Sequence, residues 1–263
     1  MSTKGSSTIV AVGDVHGELE GLRDILRHAK VLGDRDRWVG GNTILVQMGD
    51  VIDRGPDSVG AYALLEKLQL EAPLTGGAVV RLPGNHELAL LQGKSDWTDL
   101  ADSRTFRRML DKDVLAGKVQ GAYAGQGYLF THAGVRSEMR EHLLKGQEIC
   151  ADDDIAPALA DKINGILVEA VKSKNFSDRI FRVGESRNGP HQVGGIFWED
   201  ASRLFGSVNA GNIRQVFGHT PKKEIRISPS KDLVDIDVGI HCYDGRAYLT
   251  LRKGKATAQK VPS

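Results

Sequence analysis

The stretch Thr43-Ile44-Leu45-Val46-Gln47-Met48-Gly49-Asp50-Val51-Ile52-Asp53-Arg54-Gly55 decides the fold. An apolar run of strand character at 43–48 stops at a Gly-Asp pair. A short polar turn follows, and then Asp57–Leu70 sets Ala61, Leu64, Leu65 and Leu68 at helical spacing behind Pro56. The same pattern stands on either side. Upstream, Thr8–Gly13 is apolar, ends at Gly13-Asp14-Val15-His16, and leads into Glu18–Leu32 with Leu19, Leu22, Ile25 and Leu26 on one helical face. Downstream, Ala78–Leu82 ends at Gly84-Asn85-His86-Glu87. Short apolar runs alternating with helical patterns predict β-α-β units and an α/β fold with a buried sheet.

Beyond that third of the chain, Trp97–Ala116 reads as a more highly charged helix and Gly127–Thr131 as a fourth strand. Ile155–Val171 is amphipathic, and the acidic run Asp152–Asp154 before it suits a helix start. The Gly-, Arg- and Asn-rich segment Gly184–Gly195 reads as a long loop. Arg214–Phe217 is a fifth strand, and Ile225–Ile227, Leu233–Asp237 and Ala247–Leu251 are closing strands. The polar, basic tail 252–263 reads as frayed. No repeat or linker divides residues 1–263, so one domain is expected, with cap-like helical insertions around 95–120 and 140–195.

Composition narrows the function classes. The 263 residues include 35 Lys and Arg against 34 Asp and Glu, a formal charge of +1. A protein that coats nucleic acid would be basic, so no nucleic-acid partner is expected. The hydrophobic share of 40% and charged share of 26% are those of an ordinary globular chain. Cys150 and Cys242 are far apart, with no C-x-x-C spacing, which fits a reducing compartment and inert thiols. No stretch approaches the roughly 20 apolar residues of a membrane span. The apolar run after the N-terminus is too short for a signal-peptide core. The expectation is a soluble, cytoplasmic protein without a membrane partner.

The chemistry lies at the strand ends. Besides the three already quoted, the fourth strand ends at Thr131-His132-Ala133-Gly134 and the fifth at Gly218-His219-Thr220-Pro221. Ligands of open α/β sheets bind outside the carboxyl ends of strands. If these ends converge, they bring together carboxylates, imidazoles and one amide. Oxygen and nitrogen donors without a thiolate suit Mn, Fe, Zn or Co better than Ca or a structural zinc site. The donors are numerous enough for two metals about 3.5–4 Å apart, a clamp for phosphoryl transfer to water. Each motif alone has a plain reading: Gly-Asp is a common turn, Asn85 a turn residue, and Gly218–Pro221 an ordinary strand exit. Their joint occurrence in order lifts the metal reading above these.

Taken together, Gly-Asp-Val-His-Gly at 13–17, Gly-Asp-Val-Ile-Asp-Arg-Gly at 49–55, Gly-Asn-His-Glu at 84–87, His132 and His219 resemble the phosphoprotein phosphatase branch of the calcineurin-like metallophosphoesterases. The resemblance implies a two-sheet β-sandwich flanked by helices, with the site at its top. It implies two divalent ions (Mn, Fe or Zn): Asp14 and His16 on the first, Asp50 bridging both, and Asn85, His132 and His219 on the second. Arg54 would bind the substrate phosphate through its planar fork. His86 would protonate the leaving oxygen, with Asp53 orienting its ring. Glu87 would support the loop rather than touch phosphate. A hydroxide bridging the metals would attack phosphorus in line, with no phospho-enzyme.

Departures from the eukaryotic members are plain. Leu82-Pro83 stands where they carry Arg, Ala133-Gly134 where they carry Gly-Gly, and the Ser-Ala-Pro-Asn-Tyr-Cys signature is absent, with Gly239-Ile240-His241-Cys242-Tyr243 in about that region. The chain is more similar to bacterial-type members such as the Shewanella-like phosphatases and the symmetric diadenosine tetraphosphatases. The latter usually read Gly-Asn-His-Asp, so Glu87 leans away from them. The resemblance implies a second phosphate-binding arginine between His132 and His219, and Arg182, Arg187 and Arg203 all qualify. Trp198-Glu199-Asp200 is similar to a Trp-x-Asp segment near the site of the eukaryotic relatives. His191 is read as a loop residue, Trp97 and Phe106 as packing residues of a cap, and His28 and His142 as surface residues. The reading that follows is a phosphomonoesterase acting on phosphoprotein or a small phosphoester. Its rivals are a dinucleoside polyphosphate hydrolase, for which Tyr123, Tyr128, Trp97 and Trp198 are the available aromatics, and a non-catalytic metal-binding scaffold. Retention of His86, Asp53 and Arg54 argues against the scaffold.

Overall fold

A computed structural model describes residues 7–146, 155–206 and 213–262. Cys150 and the acidic run Asp152–Asp154 lie outside the described residues. In chain order the elements are β1 (Ile9–Val12), α1 (Leu19–His28), β2 (Ile44–Gln47), α2 (Ser58–Glu71), β3 (Ala78–Arg81), α3 (Asn85–Leu91) and α4 (Ser103–Leu115). Then come β4 (Tyr123–Gly125), β5 (Tyr128–Phe130), α5 (Ser137–Leu144), α6 (Ile155–Ser173) and α7 (Ala201–Phe205). The chain closes with β6 (Gln215–Phe217), β7 (Arg226–Ile227), β8 (Leu233–Asp235), α8 (Ile240–Tyr243), β9 (Ala247–Arg252) and β10 (Lys255–Lys260). Among the described residues these strands form two five-stranded sheets, ordered β10-β9-β1-β2-β3 and β4-β5-β6-β8-β7.

The sheets pack face to face, as the two-sheet reading expects. Side chains alternate along a strand, so Ile9 and Ala11 of β1 join Val46, Val80, Phe130, Val216 and Val234 in the seam between sheets. Val10 and Val12 instead join Leu22, Ile25 and Leu26 of α1 and Leu65 and Leu68 of α2 on the outer face. On the other flank, α6 packs on both α4 and α5 and covers β4 and β5. No helix among the described residues is long and apolar enough to cross a membrane.

Two features of this arrangement position the site. β1, β2 and β3 run parallel, as do β5, β6 and β8. Their carboxyl ends therefore deliver five motif loops and the segment after β8 to one end of the seam. The loops also approach closely. A side chain at Gly49 (φ 97°) would come within 2.3 Å of the Gly84 amide nitrogen, so only glycine lets these two turns touch.

The structure departs from the sequence reading in places. The tail is not frayed: β10 pairs antiparallel with β9 from Lys255 opposite Arg252 to Lys260 opposite Ala247. Four of its six residues are polar and four are exposed, so hydropathy gave no sign of a strand that main-chain pairing holds. Its lysines suit a sheet edge, where charge discourages pairing with other chains. The Gly-Asn-His-Glu turn opens helix α3. The charged helix read at Trp97–Ala116 begins only at Ser103, capped by the Asp102 carboxylate, which accepts from the Thr105 amide at 3.0 Å.

Candidate metal centre and phosphate site

The loop after β2 is built around a buried anion. Glu87, on the first turn of α3, accepts from the amides of Gly84 (2.7 Å), Asp50 (2.9 Å), Val51 (2.9 Å) and Ile52 (3.3 Å). Burial and the neighbouring Asp50 push its carboxyl up to about 7, against the pull of those amides. The loop-supporting reading of Glu87 accords with these contacts. Gln47, buried at the end of β2, clamps the same loop by donating to the Gly49 carbonyl (2.7 Å) and accepting from its amide (3.0 Å). The amides of Val15 and His16 in turn donate to the Asp50 carbonyl. This lattice holds His16 (φ 48°), Asp50 (φ 50°), Asp53 (φ 70°), Arg54 (φ 73°) and His219 (φ 69°) in the left-handed region. Non-glycine residues rarely adopt it, and such strain clusters where a surrounding structure imposes it for function.

Asp50 stands at the centre. Its Oδ1 accepts from the His86 amide at 3.0 Å. Its Oδ2 lies 3.5 Å from His16 Nε2 and 3.6 Å from His132 Nε2. The tautomers of these two rings follow from their other contacts. His16 Nδ1 donates to the Ile52 carbonyl (3.0 Å) and His132 Nδ1 to the Met48 carbonyl (2.9 Å). Burial pushes the His16 imidazole down to about 3 and lowers that of His132. Both rings are therefore neutral, with a lone pair on Nε2. Burial works to raise the Asp50 carboxyl, but the ring of histidines around it, of which His86 is the one whose own pKa is raised, turns the net shift downward.

That arrangement sets acceptor against acceptor. His132 Nε2 also faces Asn85 Oδ1 at 3.2 Å, and His219 Nδ1, 3.1 Å away, can donate to it, which leaves His219 Nε2 a buried lone pair without a partner among the described residues. The Nε2 lone pairs of His16 and His132 and the Asp50 carboxylate, 3.5 and 3.6 Å apart with no proton between them, repel one another unless cations lie among them. The donor set thus fits metal ions. His16, Asp50 and His86 lie close enough to hold one, and Asp50, His132 and His219 another, with Asn85 Oδ1 beside His132 Nε2. At His16 and His132 a backbone carbonyl orients the ring through its other nitrogen, the usual support of a ligand histidine. Asp14 lies buried on the floor, where its Oδ1 accepts from the His219 amide (3.1 Å). Burial, Asp237 and Asp50 raise its carboxyl well above the usual range, so a cation would be needed to ionise it fully.

Beside this cluster, His86 Nδ1 meets Asp53 Oδ2 at 2.6 Å. The segment 98–99 tightens the pair: Thr98 Oγ1 and the Asp99 amide donate to Asp53 Oδ1 at 2.6 and 3.2 Å, and the Arg54 amide donates to Asp99 Oδ2 at 2.8 Å. Burial works against an imidazolium at His86, but Asp50 and Asp53 prevail and raise its pKa. The exposed Arg54 guanidinium meets His86 Nε2 through Nη2 at 3.2 Å. A cavity of about 340 Å³ opens over these groups, walled by Arg54, Arg187, Trp198 and Asp237.

All nine residues expected at the site come together at this end of the seam. Of the three arginines left open by the sequence, the structure brings Arg187 to the cavity wall, where it pairs with Asp200 Oδ2 (3.0 Å) and donates to Thr220 Oγ1 (2.5 Å). His191 instead forms an isolated bridge with Gly184. Phe106 packs against Tyr62 in the core, as expected, but Trp97 is not a packing residue. It is 56% exposed, edge-on to Trp198 at 6.2 Å. Tyr128 lies in the seam between the sheets and Tyr123 packs against it, away from the cavity lining. Sequence reasoning missed Thr98, Asp99 and His241. Nothing in their spacing marks them, and they reach the site only through loop geometry.

Comparisons with known proteins accord with this geometry. The family model for calcineurin-like phosphoesterases matches residues 7–235, most of the chain. Shewanella-like protein phosphatase 1 of Plasmodium berghei is 42% identical over 103 residues, covering 39% of this chain and 28% of that protein. The symmetrical bis(5'-nucleosyl)-tetraphosphatase of Azotobacter vinelandii is 27% identical over 171 residues, 60% of this chain and 56% of that one. The match thus spans under a third of the first relative's length. In fold, the chain is similar to the cold-active protein-tyrosine phosphatase of a psychrophilic Shewanella species, with a TM-score of 0.72 at 20% identity over 98% of this chain and 81% of that one. With the five motif loops gathered at one sheet end and the family model matching nearly throughout, the chain belongs to the calcineurin-like phosphoesterases.

Proposed function

We propose that this chain is a metal-dependent phosphatase that hydrolyses phosphomonoesters, phosphoprotein above all, at a site holding two divalent ions. The observation that carries the reading is the ring of facing acceptors around Asp50 Oδ2, with an arginine and a carboxylate-bound histidine beside it. Asp14, His16 and Asp50 would hold one ion, and Asp50, Asn85, His132 and His219 the other. Bound there, divalent ions would supply positive charge for the phosphoryl oxygens and a water acidic enough to serve as nucleophile.

The chain's own residues would do the rest. Arg54, with Arg187 across the cavity, would grip the phosphate oxygens through paired N–H groups. An arginine has donors only, so its contact with His86 Nε2 holds while that nitrogen is unprotonated. When phosphate takes the guanidinium, Nε2 is released to carry a proton. Asp53 favours that imidazolium and aims it at the leaving oxygen. Likeness to Shewanella-like protein phosphatases supports a phosphoprotein substrate. The tetraphosphatase likeness, over a longer part of the chain, supports a second reading, hydrolysis of a dinucleoside polyphosphate by the same centre. A scaffold would have no use for the His86–Asp53 pair.

The test compares turnover of phosphoserine, phosphothreonine and phosphotyrosine peptides with that of diadenosine tetraphosphate, on protein loaded with Mn²⁺, Fe²⁺ or Zn²⁺. Faster peptide turnover is expected. Preference for the dinucleotide would establish the second reading. Absence of metal-dependent turnover of any phosphoester, an aryl phosphate included, by folded, loaded protein would overturn both.

A further inference from the structure

His241 lies outside every motif that marks the site, yet it touches the site twice. Its Nε2 is 3.1 Å from Arg54 Nη1, and its ring stands edge-on to His16 with centroids 4.4 Å apart. Arginine offers donors only, so His241 Nε2 accepts, as His86 Nε2 does from Nη2 at 3.2 Å. The ring's other nitrogen is buried without a hydrogen-bond partner among the described residues. What places the ring is the backbone. Gly239 turns the chain at φ 61°, its amide donating to Asp237 Oδ1 at 2.9 Å. Ile240 then packs on Gly21 of α1 so closely that any side chain there would come within 2.7 Å of Ile240 Cγ2.

We infer that His241 is a positioning residue that orients the Arg54 guanidinium for the substrate phosphate. An exposed arginine side chain has rotamer entropy to lose when it binds. Two imidazole acceptors, one on each Nη, fix the plane of the fork beforehand. When phosphate releases His86 Nε2, His241 keeps its hold on Nη1, whose second hydrogen remains for the phosphate together with both on Nη2. A preorganised fork binds more tightly than a free one because the ordering cost has already been met. The inference rests on the reading of Arg54 as the phosphate clamp.

The experiment uses the full chain loaded with Mn²⁺, an aryl phosphate as substrate and vanadate as inhibitor. His241→Leu and His241→Ala remove the acceptor, whereas His241→Gln keeps one near the place of Nε2. Both apolar variants should raise KM and the vanadate inhibition constant roughly tenfold, more than they lower kcat, with metal content unchanged. The glutamine variant should recover most of the loss. In an Arg54→Ala background, removing His241 should add nothing, because it acts through that arginine. Unchanged inhibition in the apolar variants, an undiminished effect in the Arg54→Ala background, or loss of bound Mn²⁺ would each overturn the inference. If Arg54→Ala alone leaves vanadate inhibition unchanged, the clamp reading itself fails, and that result is distinct from the other three.

Discussion

Two residues of one motif, His86 and Glu87, divide the chemistry from its support. His86 meets Arg54 of the cavity wall with Asp53 behind it, whereas Glu87 turns inward and gathers the amides of Gly84, Asp50, Val51 and Ile52. His86→Asn should therefore keep both metals and lower kcat by roughly 10²–10⁴, the usual worth of a general acid. Single-turnover rates with elemental analysis check it, and a fall in metal content would reassign His86 to the ligands. Glu87→Gln should act in the opposite way. An amide group would set N–H against N–H in a fully buried pocket and loosen the loop that aims Asp50. Metal affinity should fall roughly 10–100-fold although Glu87 would touch no ion, and titration of the apo-protein with Mn²⁺ measures that loss. Both roles trace to neighbouring positions on α3, and only the direction each side chain takes separates them.

At the scale of elements, β3 is joined to the helices that flank it through charge as well as apolar packing. Arg81, at the end of β3, is 2% exposed, and its Nη2 meets Asp113 Oδ2 on α4 at 2.8 Å. The same carboxylate oxygen accepts from Tyr62 Oη on α2 at 2.8 Å, and Arg81 Nε donates to Gln69 Oε1 at 3.1 Å. A buried pair of this kind adds little net stability, but breaking it strands a charge. Asp113→Ala should cost about 3–5 kcal/mol in urea unfolding, with KM for the proposed phosphoester hydrolysis unchanged in the protein that remains folded. A loss below 1 kcal/mol would mean that water reaches Arg81. The sequence shows Arg81 only as the polar end of an apolar run and Asp113 as one charge among many on a charged helix. That they meet depends on how α4 crosses the sheet, and no local pattern encodes the crossing.

For the whole molecule, the centre closes the end of the seam where two parallel strand sets meet. Asp14, His16, Asp50 and Asn85 come from one sheet's loops, and His132 and His219 from the other's. Bound divalent ions would thus link the two sheets and favour the folded state by mass action. Stripping the protein with EDTA should lower its Tm by several degrees, and adding Mn²⁺ should restore it in proportion to occupancy. An unshifted melting curve would show that the sheets hold the centre in shape without ions. The +1 formal charge disguises this region: the buried acids Asp14 and Asp50 and the buried imidazoles His16, His132 and His219 are concentrated at one point of a chain that is balanced on average.

By itself the sequence determined the strand–helix alternation, the five loops that carry Asp, Asn and His, and the family. Those features are local: apolar periodicity marks a strand or helix over a few residues, and each motif is contiguous. The tertiary structure decided which of Arg182, Arg187 and Arg203 reaches the cavity, that Thr98 and Asp99 buttress Asp53, that Trp97 lies at the surface, and that His241 meets Arg54 across 187 positions of chain. It also paired the polar strand β10 with β9, where hydropathy carries no signal. Each of these depends on contacts between distant segments. Their geometry is set by sheet register and loop path, and neither is written in the spacing of residues along the chain.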